Sequence, residues 1–173
     1  MTQYARPDSD VSNAGSWDLS TGSDIYALID ESSADDSDYV SVGDPSDAAF
    51  IVGLSNVTDP SSAADHKVYY RAVDDSDGDG ALTVVLLEST TARATSVNEG
   101  MVDTAAQYTF TLTTGEANSI SNYNNLRLSF SATDEMAMGL SVTVTQAWFQ
   151  CPDAGGGSAI VPIAMNHYRR LRG

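Results

Sequence analysis

The chain has 173 residues, 42% of them hydrophobic, and sets 24 acidic against 8 basic side chains for a net charge of −16. That length predicts one domain plus arms, and a chain of this size buries roughly 68 to 70% of its unfolded surface, so neither metal nor disulfide is needed to close a core; the single cysteine, Cys151, excludes an intrachain disulfide. One lysine, Lys67, argues against a nucleic-acid binder, which needs clustered cations, and the acidity argues against anionic membranes.

No apolar run approaches the roughly 20 residues of a membrane span. Met1 to Asp10 has no apolar stretch of the secretory kind, so the expected place of synthesis and folding is a cytoplasm. Nineteen of the 24 acids are Asp, a residue of turns and caps, which disfavours helix.

Residues 1–24 are polar and rich in Ser, Asp and Gly around Trp17, and read as an irregular arm docking on the domain. From Ile25 onward, short segments alternate with period 2 between Gly, Pro, Asp and Ser, the pattern of antiparallel strands. The expected strands are 25–29, 49–54, 67–73, 82–87, 107–112, 126–132 and 140–149, with weaker candidates at 39–42 and 93–97. Val68, Tyr70 and Ala72 share one face of their strand, as do Leu126, Leu128 and Phe130. In the last strand Leu140, Val142, Val144 and Trp148 share the inward parity, interrupted by Gln146, which places Trp148 in the core. Thr114 to Ile120 suits one helical turn. The reading is an all-β protein: an antiparallel β-sandwich, or jelly roll, over 25–151.

After Cys151 and Pro152, the glycines 155–157 form a hinge to an extended arm over 152–173. Residues 151–173 set Asp153 against three arginines, net +2, while residues 1–150 carry net −18. Ile160, Val161, Ile163, Met165 and Tyr168 with Arg169, Arg170 and Arg172 fit an arm that anchors on a protein partner through apolar side chains and arginines. A terminus lying back on its own acidic sheet, or on a neighbouring copy, fits the same residues.

Asp75, Asp77, Asp79 and Gly80 have the alternate-carboxylate spacing that gathers oxygens around Ca²⁺. The twelfth position of such a loop is the apolar Leu86, so a plain hairpin turn between the flanking strands is the favoured reading, and Ca²⁺ the only cofactor the sequence raises. Asp30, Glu31, Asp35, Asp36 and Asp38 form an acidic cluster that reads as a solvated loop or a patch facing a basic partner; a cation site and an acid/base pair are the alternatives, and nothing marks an apolar cleft to separate carboxylate pKa values. His66 and His167 have no ligand spacing, and no histidine is placed beside Cys151. Trp17, Tyr69, Tyr123 and Trp148 could form a sugar platform, since rings stack on apolar pyranose faces. No catalytic constellation is evident, and a non-enzymatic role is expected.

Arg6, Pro7 and Asp8 to Asn13, then Gly15 and Trp17, run on through Ser20 to Ser23, Tyr26, Ile29, Asp30, Glu31, Asp35, Asp36, Asp38 and Tyr39. This segment resembles one in structural proteins of tailed phages, where it introduces a carbohydrate-binding-module-like jelly roll; the alternating segments from Val68 to Phe130 are similar to the strands that follow. The resemblance implies a virion component without catalysis, such as a capsid decoration (cement) protein bound to the major capsid protein, or a glycan-binding head or tail fibre module. A homo-oligomer such as a trimer is the expected assembly, and the implied location is the virion.

Overall fold

A computed structural model describes residues 1–14, 17–43, 49–75, 80–134 and 141–155. The chain folds as an all-β sandwich of two antiparallel sheets. Eleven strands are described: β1 (Thr2–Ala5), β2 (Pro7–Asn13), β3 (Asp18–Leu19), β4 (Val40–Gly43), β5 (Phe50–Leu54), β6 (Lys67–Asp74), β7 (Gly80–Glu88), β8 (Thr91–Asn98), β9 (Ala106–Thr111), β10 (Leu126–Asp134) and β11 (Ser141–Pro152). A six-stranded sheet runs β3-β4-β11-β6-β9, with β1 also pairing to β11, and a five-stranded sheet runs β2-β5-β10-β7-β8.

Alternation decides which side chains meet between the sheets. Val68, Tyr70 and Ala72 from β6 face Leu82, Val84 and Leu86 from β7 and Leu126, Leu128 and Phe130 from β10, all buried. An aromatic chain ties the layers: Trp17 meets Phe50 edge-on at 4.9 Å, Phe50 stacks on Phe130 at 4.9 Å, and Tyr70 meets Phe130 at 6.4 Å. The one α-helix among the described residues, α1 (Thr114–Ser119), is closed by a capping box in which Thr113 and Glu116 satisfy each other's amides.

Four expectations are corrected. Residues 1–13 are not an irregular arm: β1 and β2 join opposite sheets, Ala5 and Pro7 are buried, and Trp17 is 2% exposed. The Ser and Asp of β2 escape the usual penalty because it is an edge strand with two register shifts against β5. Residues 25–29 form a 3-10 turn (Tyr26–Leu28) rather than a strand. Ile25, Leu28 and Ile29 are buried with helical i, i+3, i+4 spacing, and the Asp10 carboxylate accepts from the amides of Ile25 (3.0 Å) and Tyr26 (2.8 Å).

The segment after Asp74 is no hairpin, because β6 and β7 lie in different sheets and never pair. Trp148, finally, faces outward: β11 shifts register between Val144 and Gln146, so Ala147, Phe149 and Cys151 become the core residues. One bulge residue exchanges the two faces beyond it.

Candidate functional site

The displaced Trp148 builds the most distinctive surface on the molecule. Trp148 pairs across the strands with Tyr69, which pairs with Thr109, so all three share a rung on the outer face of the six-stranded sheet. The Trp148 and Tyr69 rings stack at 4.8 Å and 10°. On the other flank, where β1 ends, the Arg6 guanidinium lies over the Trp148 ring 5.4 Å from its centroid. Arg6, Trp148 and Tyr69 therefore stand like plates in a rack. Both faces of the indole are occupied by its neighbours.

A loop fixes this row. Arg6 donates to the backbone carbonyl of Glu31, Gln146 donates to the same carbonyl at 2.6 Å, and the Ala147 amide donates to Ile29 at 2.9 Å. Further along, Arg71 grips Asp36 with two charge-assisted bonds of 2.6 and 2.7 Å, and Thr145 donates to the same carboxylate at 3.1 Å. The bulge that turned Trp148 outward also supplies Thr145 and Gln146 to hold the loop.

The acidic cluster is a solvated loop, exposed over residues 32–37, that is anchored to the sheet at the Glu31 carbonyl and Asp36. Arg71 first, then Thr145, hold the Asp36 carboxyl below its usual range. Asp35 is lowered by the Ser37 hydroxyl and amide, which it accepts at 2.6 and 3.0 Å. Glu31 is raised, first by burial and then by Asp30, Asp38 and Asp35 nearby.

Among the described residues, His66, Glu88 and Cys151 are buried, and the first two are hydrogen-bonded into the fold. His66 is fully enclosed: its Nδ1 faces the Ala64 carbonyl at 3.0 Å and its Nε2 the Tyr123 hydroxyl at 2.7 Å. A carbonyl can only accept, so Nδ1 carries the proton and Nε2 accepts from the phenol. Burial pushes the imidazole pKa down and the Tyr123 pKa up to about 12, which keeps this donor and acceptor in place.

Burial would raise Glu88, but bonds from the Ser121 hydroxyl (2.5 Å) and amide (3.0 Å), with Arg93 at 2.8 Å, leave its carboxyl lowered. Cys151 is buried, its thiol pushed up to about 12, and so is no nucleophile. A shallow hollow of about 350 Å³ beside Tyr123 is lined by Gln3, Asn56, Asp59 and Asn122, with no acid–base pair among them.

Of the Ca²⁺ candidates, Asp75 has both oxygens engaged by the Ser141 amide (2.6 Å) and hydroxyl (2.8 Å). Asp77 and Asp79 lie outside the described residues, and no cluster of metal-ligating side chains occurs among those described. The tail candidates, Ile160, Ile163, Met165, Tyr168, Arg169, Arg170 and Arg172, also lie outside them. Of the four aromatics, Trp17 and Tyr123 are buried, and Tyr69 and Trp148 stand together outside. Sequence reasoning gave no site role to Arg6, Thr145 or Gln146; the polar Gln146 interrupting the inward parity of the last strand was the available signal.

The fold and this face define a two-sheet antiparallel β-sandwich with a rigid aromatic and basic row on one outer surface. No protein-family profile matches the chain, and no curated protein aligns with it significantly. Among solved structures it is similar to the glycoside hydrolase domain of Endo-D from Streptococcus pneumoniae R6, with 9% identity and a TM-score of 0.42. That alignment covers 88% of this chain and 21% of the other, a likeness too slight to bear on activity.

Proposed function

We propose that the protein is a non-enzymatic structural component of a phage particle, a capsid decoration or cement protein that binds the shell through a protein–protein contact. The observation that carries the binding role is the Arg6–Trp148–Tyr69 row. Trp, Tyr and Arg are the side chains that dominate binding energy at protein interfaces. Here they are held in place before any partner arrives, so little ordering entropy is lost on contact. The capsid as partner rests on the resemblance of residues 6–39 to phage structural proteins. A shell protein of this kind adds buried area across subunit seams, and repeated contacts raise the temperature the shell withstands.

The test is co-sedimentation of the protein with undecorated capsids, counting copies per shell. Saturable binding in symmetry-related numbers, weakened in Trp148→Ala, supports the proposal; absence of binding overturns it. A second reading, a glycan-binding fibre module, is favoured by Trp148 and Tyr69 standing outside rather than in the core. With the indole faces covered, however, a sugar meets ring edges. Binding on a polysaccharide array that is lost in Tyr69→Ala and Trp148→Ala would establish it.

A further inference from the structure

The opposite outer face, that of the five-stranded sheet, differs in kind. Cross-strand register sets Ile51, Ser129, Val85 and Thr95 in one outward rung and Ser131, Thr83 and Val97 in the next. A third rung holds Gly53, Arg127, Leu87 and Ala92. In a chain with 24 acids, none of these positions is a carboxylate. Glu88, on the same strand as Val85, points inward to Arg93 and Ser121.

We propose that this face is where a second copy of the chain packs, sheet on sheet, in an isologous dimer. Charge argues for that occupant. Two protomers of net −16 repel wherever carboxylates meet, and the rungs of β5, β10, β7 and β8 that carry none are where copies can approach at the roughly 10 Å spacing of stacked sheets. A basic partner would instead be drawn to carboxylates, which these rungs of β5, β10, β7 and β8 lack and only the β2 edge carries. The Asp8 carboxylate, near Gly53 at the β2 edge, and Arg127 on the central strand β10 give the face one charge of each sign to exchange across a two-fold axis.

Size fits as well. Five strands about 4.8 Å apart, up to nine residues long at about 3.4 Å each, offer about 600 to 700 Å² per copy. Two such faces bury about 1,200 to 1,400 Å² in total, within the range of specific interfaces. β-Branched and small side chains in alternation present a flat surface that interdigitates as sandwich layers do.

The experiment is sedimentation equilibrium of the full chain across a concentration series, at low and high NaCl. A species of twice the 18.3 kDa chain mass is expected. Salt should strengthen it, because screening relieves the repulsion between acidic protomers. Ser129→Glu and Thr95→Glu place like charges across the contact and should weaken dimerisation by more than about tenfold, with circular dichroism unchanged. Thr109→Glu, on the other sheet, should leave it intact. A monomer at all concentrations, a dimer that dissolves with salt, or a dimer broken by Thr109→Glu and not by either other variant would overturn the proposal. The result does not depend on capsid binding, which is read by co-sedimentation.

Discussion

Tyr123→Phe removes a single oxygen from a site where nothing else is described to take its place. In the folded protein His66 Nδ1 is committed to the Ala64 carbonyl, and Nε2 accepts from the Tyr123 hydroxyl at 2.7 Å. Without the phenol, a fully buried acceptor loses its donor, at a cost of about 1 to 3 kcal/mol. Ring packing against His66 at 5.8 Å and Phe149 at 6.5 Å survives in Phe, so the change reports the hydrogen bond and not a cavity. At about 2 kcal/mol, the melting temperature falls by about 4 to 8 °C.

Urea unfolding at two pH values supplies the second readout. His66 is lowered from its usual value by burial, so the unfolded chain takes up the proton first. Stability is complete above the unfolded value of about 6.5 and declines as pH falls below it, by at most about 1.4 kcal/mol per pH unit. Wild type should therefore be less stable at about pH 5.5 than at about pH 7.5, and His66→Gln should lack that slope. A Tyr123→Phe protein within about 0.5 kcal/mol of wild type, or one stabilised by mild acid through His66, would refute the tautomer assigned here.

Two further substitutions probe the frame around the site. Gly53→Val should destabilise by about 1 kcal/mol in chemical denaturation, since a Cβ at Gly53 falls 2.3 Å from the Ser9 hydroxyl, which must rotate away while the added methyls press on β2; Ser9→Gly should restore part of the loss. Thr113→Ala removes the cap that accepts from the Glu116 amide and should cost about 1 kcal/mol, with local loss of hydrogen-exchange protection over α1.

Much of the sandwich was legible along the chain because burial on one face of a sheet imposes a period of two. Lys67 to Val73, Leu82 to Leu87 and Leu126 to Ala132 announce strands and faces alike, and the structure places their alternate residues in the core. The helical turn at Thr114 was legible too, since Thr113 and Glu116 have capping-box spacing. Those signals are local. The composition likewise determined that the chain would be acidic and strand-rich.

Tertiary structure decided the rest, and in each case because a distant partner outweighed local preference. Polar residues 7–13 became a strand because β5 needed an edge neighbour. Ile25 to Ile29 turned helical because Asp10 reaches across to cap their amides. β6 and β7 form no hairpin because each found its partners in a different sheet. Trp148 stands outside because one extra residue in β11, held by Thr145 to Asp36 and Gln146 to Glu31, reverses the faces beyond it. A periodicity of two tells which residues share a side; where that side changes is set by pairing across the sheet, which no short window of sequence contains.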